Sequence, residues 1–163
     1  MQTYAKAMPY PKPEGALTLQ DARILADNLG ARASETTAIF QYIFQHGMID
    51  PTIPQLADDL RGIAIAEMHH YDLLSEALVA CGAVPYVGGK ACFWSGSYVN
   101  YVRAPLAAVR ADIAAEKQAI ADYRRSILRL RNESLKALLE RIIEDEEEHI
   151  RILSDWETRL RGE

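Results

Sequence analysis

A chain of 163 residues is the size of one domain with one substantial core, burying roughly 70% of the surface its unfolded form exposes. A formal charge of −5 and a calculated pI near 5.4 give no electrostatic footprint for nucleic acid or an anionic membrane, and point instead to acidic residues as cation ligands. There is no apolar run of about 18 residues and no signal-peptide pattern, and Cys81 and Cys92 lack C-x-x-C spacing, so a soluble, cytoplasmic protein with free thiols is expected.

Residues 1–17, with Pro9, Pro11 and Pro13 in alternation, have no helical period and read as an extended N-terminal arm; residues 18–163 read as one helical domain. The first helix is expected to start near Thr18, where Thr18-x-x-Asp21 resembles a capping box, and to run unbroken to Gly47. Asp50-Pro51 reads as an N-cap and helix-starting proline for a second helix over 51–81, ended by Gly82. Residues 82–104 hold four glycines, Pro85 and five aromatic residues without a sustained period, and form a connection with room for a short helix near Tyr98. Pro105 opens a third helix to about Arg131, and Asn132 or Ser134 caps a fourth to about Arg161. A connection of 23 residues reaches up to roughly 75 Å and can cross a bundle about 42 Å long. The expected fold is therefore all-α: two antiparallel helix hairpins joined by a long crossover.

Written at spacings of three and four, each helix carries an inward apolar stripe interrupted by one glutamate. Leu25, Leu29, Arg32, Glu35, Ile39, Tyr42, Ile43 and His46 form the first stripe; Ile63, Glu67, His70 and Leu74 lie on the second. The third has Ile113, Glu116, Ile120 and Tyr123, and the fourth Ile142, Glu146, His149 and Leu153. One Glu-x-x-His is weak evidence, but Glu67-x-x-His70 recurs as Glu146-x-x-His149, each with an upstream glutamate (Glu35, Glu116) at intervals of 32 and 30 residues. Four carboxylates converging in a core demand positive charge, and two divalent cations supply it. Glu and His three apart share a helix face and can reach one ion, with carboxylates shared or bridging. The acidic run Glu144–Glu148 is otherwise a solvated face, in which Glu146 alone fits both the stripe and the His149 spacing.

The halves match further: Tyr42 and Tyr123 each follow their glutamate by seven residues, and can hydrogen-bond a ligating carboxylate, carry an electron or simply fill the core. Asp145 is a candidate acceptor that orients His70 from across the bundle, or an ordinary surface aspartate. His69 points off the stripe, His46 lies roughly 16 Å beyond Glu35, and Arg32 balances charge or snorkels.

These residues resemble the ferritin-like di-metal carboxylate superfamily, whose pattern is E…E-x-x-H…E…E-x-x-H, over about residues 18–161. Within it the chain is similar to the bacterioferritin, rubrerythrin and manganese-catalase branch, in which one subunit carries both metals. The resemblance implies a ferritin-like four-helix bundle with Glu35, Glu67, His70, Glu116, Glu146 and His149 as ligands, and Glu67 and Glu146 or their partners bridging. It implies two Fe ions, with two Mn ions as the alternative. Met68 stands where bacterioferritins place a haem-ligating methionine, but reads as a helix-surface residue, so haem is not expected. No cysteine module of the rubrerythrin kind is present, and no fifth helix follows the fourth, so a homodimer is expected rather than a cage. The implied activity is oxidation of Fe(II), or use of an external electron donor, with O₂ or H₂O₂ as acceptor. Manganese-type H₂O₂ disproportionation and a non-enzymatic iron-binding or coat protein are the rivals.

Overall fold

The computed structural model describes residues 3–89 and 92–162; Met1 and Gln2 of the expected arm, Lys90 and Ala91 of the expected crossover, and Glu163 lie outside the described residues. Five α-helices are present among these residues: α1 (Leu19–Gly30), α2 (Glu35–Ile49), α3 (Pro54–Ala80), α4 (Pro105–Arg129) and α5 (Glu133–Arg161), with a 3-10 turn at Gly96–Tyr98. Thr18 and Asp21 form the capping box at the start of α1, and Asn132 caps α5 by accepting from the Leu135 amide. Gly82 and Gly162 each take φ near +78° just after α3 and α5, the left-handed conformation in which glycine carries no Cβ penalty.

Two boundaries differ from the sequence expectation. The first helix is not continuous to Gly47: it breaks after Gly30 and restarts at Glu35, ending at Ile49. Ser34 caps α2 by accepting from the Thr37 amide, while Thr36 Oγ1 and Thr37 Oγ1 donate to the carbonyls of Leu29 and Ala31 that the break leaves free. Gly30 fits the break because a Cβ there would lie 2.3 Å from the backbone of Gly88 in the crossover. The second helix starts at Pro54 rather than Pro51, since residues 51–53 form a turn in which Thr52 Oγ1 donates to Ile49 O.

α2 packs along α3 and α4 along α5; α3, α4 and α5 each pass through two apolar clusters, while α1 contributes to one and α2 to the other. One cluster gathers Leu25 and Leu29 of α1, Leu74 and Leu78 of α3, Tyr123 of α4, and Leu135 to Ile143 of α5. The other gathers Ile49 of α2, Leu56 to Ala64 of α3, Val109 and Ile113 of α4, and Leu153 and Trp156 of α5. Followed from cluster to cluster, α3 and α4 run parallel to each other and antiparallel to α1–α2 and α5, so residues 82–104 must travel the length of the bundle. This is the ferritin-like arrangement of two hairpins and one crossover. Truncating any of the fully buried leucines to alanine costs about 2–5 kcal/mol. Glu35, Glu67, His70, Glu116, Glu146 and His149 fall between the two clusters. No helix among the described residues is long and apolar enough to cross a membrane.

Candidate metal centre

Glu35 enters as the first residue of α2, Glu67 and His70 from one face of α3, Glu116 from α4, and Glu146 and His149 from one face of α5. All six are buried, none more than 3% exposed. They form two groups, Glu35/Glu67/His70/Glu146 and Glu67/Glu116/Glu146/His149, and in each group one ligand atom per residue lies within 4.8 Å of the others. Glu67 and Glu146 belong to both. His70 Nδ1 is 3.1 Å from Glu67 Oε2, 3.4 Å from Glu146 Oε1 and 3.7 Å from Glu35 Oε2. His149 Nδ1 is 2.9 Å from Glu146 Oε2, 3.1 Å from Glu67 Oε1 and 3.6 Å from Glu116 Oε1. Both imidazoles thus aim Nδ1 at the carboxylates, with ring centres 6.0 Å apart.

Two tyrosines tie the halves together crosswise: Tyr42 of α2 donates to Glu116, and Tyr123 of α4 donates to Glu35. Burial pushes the Tyr42 phenol well above its ordinary value, and the neighbouring Glu116 charge adds to it, so this hydroxyl keeps its proton. Burial, then the charge of Glu67, raises Glu35; burial, then the charges of Glu146 and Glu67, raises Glu116. Burial acts on Glu67 in the same sense, but His149 and its hydrogen bonds prevail and hold Glu67 low. The histidines show the converse balance. Burial opposes their charge, yet Glu146 and Asp145 around His70, and Glu116, Glu146 and Glu67 around His149, raise both. Glu35 Oε2, Glu67 Oε1 and Glu146 Oε1 nevertheless receive no well-aligned hydrogen bond, although an imidazole Nδ1 lies 3.7, 3.1 and 3.4 Å away respectively. Buried acceptors without an aligned donor, facing imidazole nitrogens, are the chemistry of a cation site and poor chemistry for a hydrogen-bonded core.

The outward nitrogens are also engaged. His70 Nε2 donates to Asp145 Oδ2 at 3.1 Å, and Asp145 in turn accepts from Arg141 at 2.7 Å, the Lys6 amide at 2.6 Å and Tyr10 Oη at 2.5 Å. Burial works against the Asp145 charge, but these four donors hold its carboxyl well below the usual range. His149 Nε2 donates to the backbone carbonyl of Tyr4 at 2.8 Å. A carboxylate and a carbonyl can only accept, so each contact fixes the proton on Nε2 and leaves Nδ1 for a metal. Of the other residues considered from sequence, His69 is exposed and packs edge-on against Tyr10, and His46 bonds Ala57 O away from the centre. Arg32 is exposed over the Tyr98 ring, and Met68 is exposed on α3.

Against known proteins, the sequence matches the ferritin-like domain family over residues 31–162. The chain belongs to the ferritin-like family. Among solved structures it is similar to KatB, a manganese catalase from Anabaena, with TM-score 0.86 and 22% identity over 98% of this chain and 81% of that one. It is also similar to the bacterioferritin of Desulfovibrio desulfuricans, described as having a diiron site, with TM-score 0.75 and 25% identity over 91% and 86%. A third similar structure is the bacterioferritin BfrA of Mycobacterium tuberculosis, at TM-score 0.75 and 22% identity over 93% and 89%. No curated protein sequence matches.

In this ferritin-like chain the carboxylate side of the centre opens into a cavity of about 380 Å³, lined by Arg32, Glu35, Gln41, Tyr42, Tyr98, Glu116 and neighbours. The break at residues 31–34, which the sequence reading missed, forms part of its wall through Arg32, Ala33 and Ser34. The sequence reading also missed Asp112, buried one turn before Glu116, which accepts from Gln41 and Gln45 at 2.8 and 3.0 Å. Burial raises Asp112 to about 7, and the two amides only partly offset it. Its position on the α4 stripe three residues after Val109 was the available signal. Tyr4, Tyr10 and Arg141 were missed as well; nothing in an aperiodic arm marks which of its carbonyls meets a histidine.

Proposed function

We propose that this chain is a di-iron oxidoreductase of ferroxidase or peroxidase type that acts on O₂ or H₂O₂, with Glu35, Glu67, His70, Glu116, Glu146 and His149 as its metal ligands. The observation that carries the reading is the pair of four-residue groups sharing Glu67 and Glu146, with carboxylate oxygens that receive no well-aligned hydrogen bond. Glu35 and His70 would serve one ion, Glu116 and His149 the other, and the two shared carboxylates would hold the ions close. Two such ions would supply one-electron redox chemistry at each position, and mixed carboxylate and imidazole ligands tolerate both oxidation states.

The protein's own groups do the rest. The cavity between α2 and α4 admits Fe(II) as substrate and a diatomic or peroxide oxidant to the carboxylate side. Tyr42 and Tyr123 hold Glu116 and Glu35 in place by donating to them. The histidine side is closed by the arm and Asp145, which confines exchange with solvent to the cavity. A cytoplasmic setting and an external donor belong to the same reading, as does a homodimer, which solution mass tests.

A second reading, manganese-dependent H₂O₂ disproportionation, draws on the likeness to KatB. Metal analysis of chain purified without added metal, followed by separate assays of Fe(II) oxidation by O₂ and O₂ evolution from H₂O₂, tests both. Two iron ions per chain with Fe(II) oxidation is expected. Two manganese ions with catalase turnover would overturn the iron reading, and bound metal with neither activity would favour a storage or structural role.

A further inference from the structure

The centre is two-fold symmetric within and asymmetric without. Glu35 answers to Glu116, Glu67 to Glu146, His70 to His149 and Tyr42 to Tyr123. The outer partners break the pattern. His70 is held by Asp145, the residue just before Glu146 on α5; the matching position just before Glu67 on α3 is Ala66, which has nothing to offer His149. Tyr4 O takes that role at 2.8 Å from His149 Nε2.

The arm is fitted for this. Tyr4 lies against Gly62, one turn before Ala66 on the same face of α3, where a Cβ would come within 2.2 Å of the Tyr4 ring. Its hydroxyl donates to Asp59 at 2.8 Å, which also accepts from Trp156 at 2.7 Å. Further along, Arg141 bonds the carbonyls of Lys6 at 2.6 Å and Met8 at 3.2 Å and sits 4.4 Å from the Tyr10 ring centre. The carbonyl that matters is thus held by the anchored Tyr4 side chain and by Lys6, Met8 and Tyr10 after it.

We propose that the N-terminal arm is a positioning element of the metal centre: the Tyr4 carbonyl replaces the carboxylate missing at Ala66 and orients His149 toward its ion. This rests on the di-metal reading above. It assigns unequal outer support to the two ions, a side-chain carboxylate for His70 and a main-chain carbonyl from the arm for His149. Loss of the arm's first residues therefore weakens one ion and spares the other.

The test uses Co²⁺ as the probe, titrated anaerobically into metal-free chain and read by visible absorption and equilibrium dialysis. Full-length chain is compared with a variant whose residues 1–5 are replaced by a single Met, which removes Tyr4 but keeps Lys6, Tyr10 and the support of Asp145. Full-length chain is expected to bind two Co²⁺, and the variant to keep one site and bind the second roughly 10–100-fold more weakly. Ala66→Asp in the shortened chain returns the carboxylate and is expected to restore the second site. Should the shortened chain fold poorly by thermal melting, Gly62→Ala in the full chain displaces Tyr4 while favouring the α3 helix, and weakens the same site. Two equally tight ions in both arm-disturbed variants, or a folded shortened chain that Ala66→Asp does not restore, would overturn the proposal. A full-length chain that binds no pair of ions would instead sink the di-metal reading, and this inference with it.

Discussion

Two buried polar clusters sit one helical turn apart on α4. Around Asp112, one carboxylate accepts from the amides of Gln41 and Gln45 on Oδ1 while its Oδ2 has no partner, and burial raises its pKa to about 7, so that it can stay neutral by holding a proton. Around Glu116, four carboxylates share two imidazoles and two phenols, and three of their oxygens still receive no well-aligned hydrogen bond. Amides and one proton can settle a single acid, whereas an excess of acids over donors calls for cations. Neither burial nor an orphaned oxygen separates the two clusters, since Asp112 Oδ2 and Gln45 Oε1 also lack partners; the convergence of four carboxylates on two imidazoles does.

The largest effect should come from removing a shared ligand. Glu67→Ala takes a carboxylate from both groups and is expected to abolish tight binding of both ions, whereas Glu35→Ala or Glu116→Ala should lose one, as counted by metal analysis. At ion concentrations near 100 times Kd, each occupied site adds about 2.7 kcal/mol. Two sites should then raise the melting temperature of the native chain by roughly 10–20 °C and leave Glu67→Ala unmoved. Next in size, Tyr42→Phe removes the donor to Glu116 and should weaken the neighbouring ion roughly 10–100-fold while the fold persists, measured by the same titration.

The smallest effect belongs to Asp112 and depends on pH. The unfolded chain loses this proton near its ordinary value of about 4, while the native chain holds it to about 7, so the native state binds more protons in between. Stability therefore falls as pH rises across that window and levels off above it. Asp112→Asn should remove this slope and stabilise the chain at pH 8 by about 1–2 kcal/mol, read from denaturant midpoints at several pH values. A variant with no change in slope would show that Asp112 is ionised in the native protein.

The fold was legible because apolar stripes at helical spacing, proline and glycine boundaries and one long aperiodic stretch are properties of side chains in order. The convergence of the glutamates was legible for the same reason, since two Glu-x-x-His copies on apolar stripes constrain where their side chains meet. What escaped was set by tertiary contact. The break at residues 31–34 carries no proline, and it shifted the phase of the stripe, so Gln41 and Gln45 are buried where Ile43 was expected; Ile43 is 40% exposed. Tyr4 escaped because the contributing group is a carbonyl, which every residue has. Asp145 was recognisable only as one of two readings, since its place in an acidic run argues equally for solvent.

The central claim is that these six side chains hold two metal ions between them. The most direct measurement is an anaerobic Fe(II) titration of metal-free chain beside Glu67→Ala, with bound iron counted per chain. Saturation at two ions in the native chain and no tight ion in Glu67→Ala is the predicted result. Saturation below two, or two ions retained without Glu67, would contradict it.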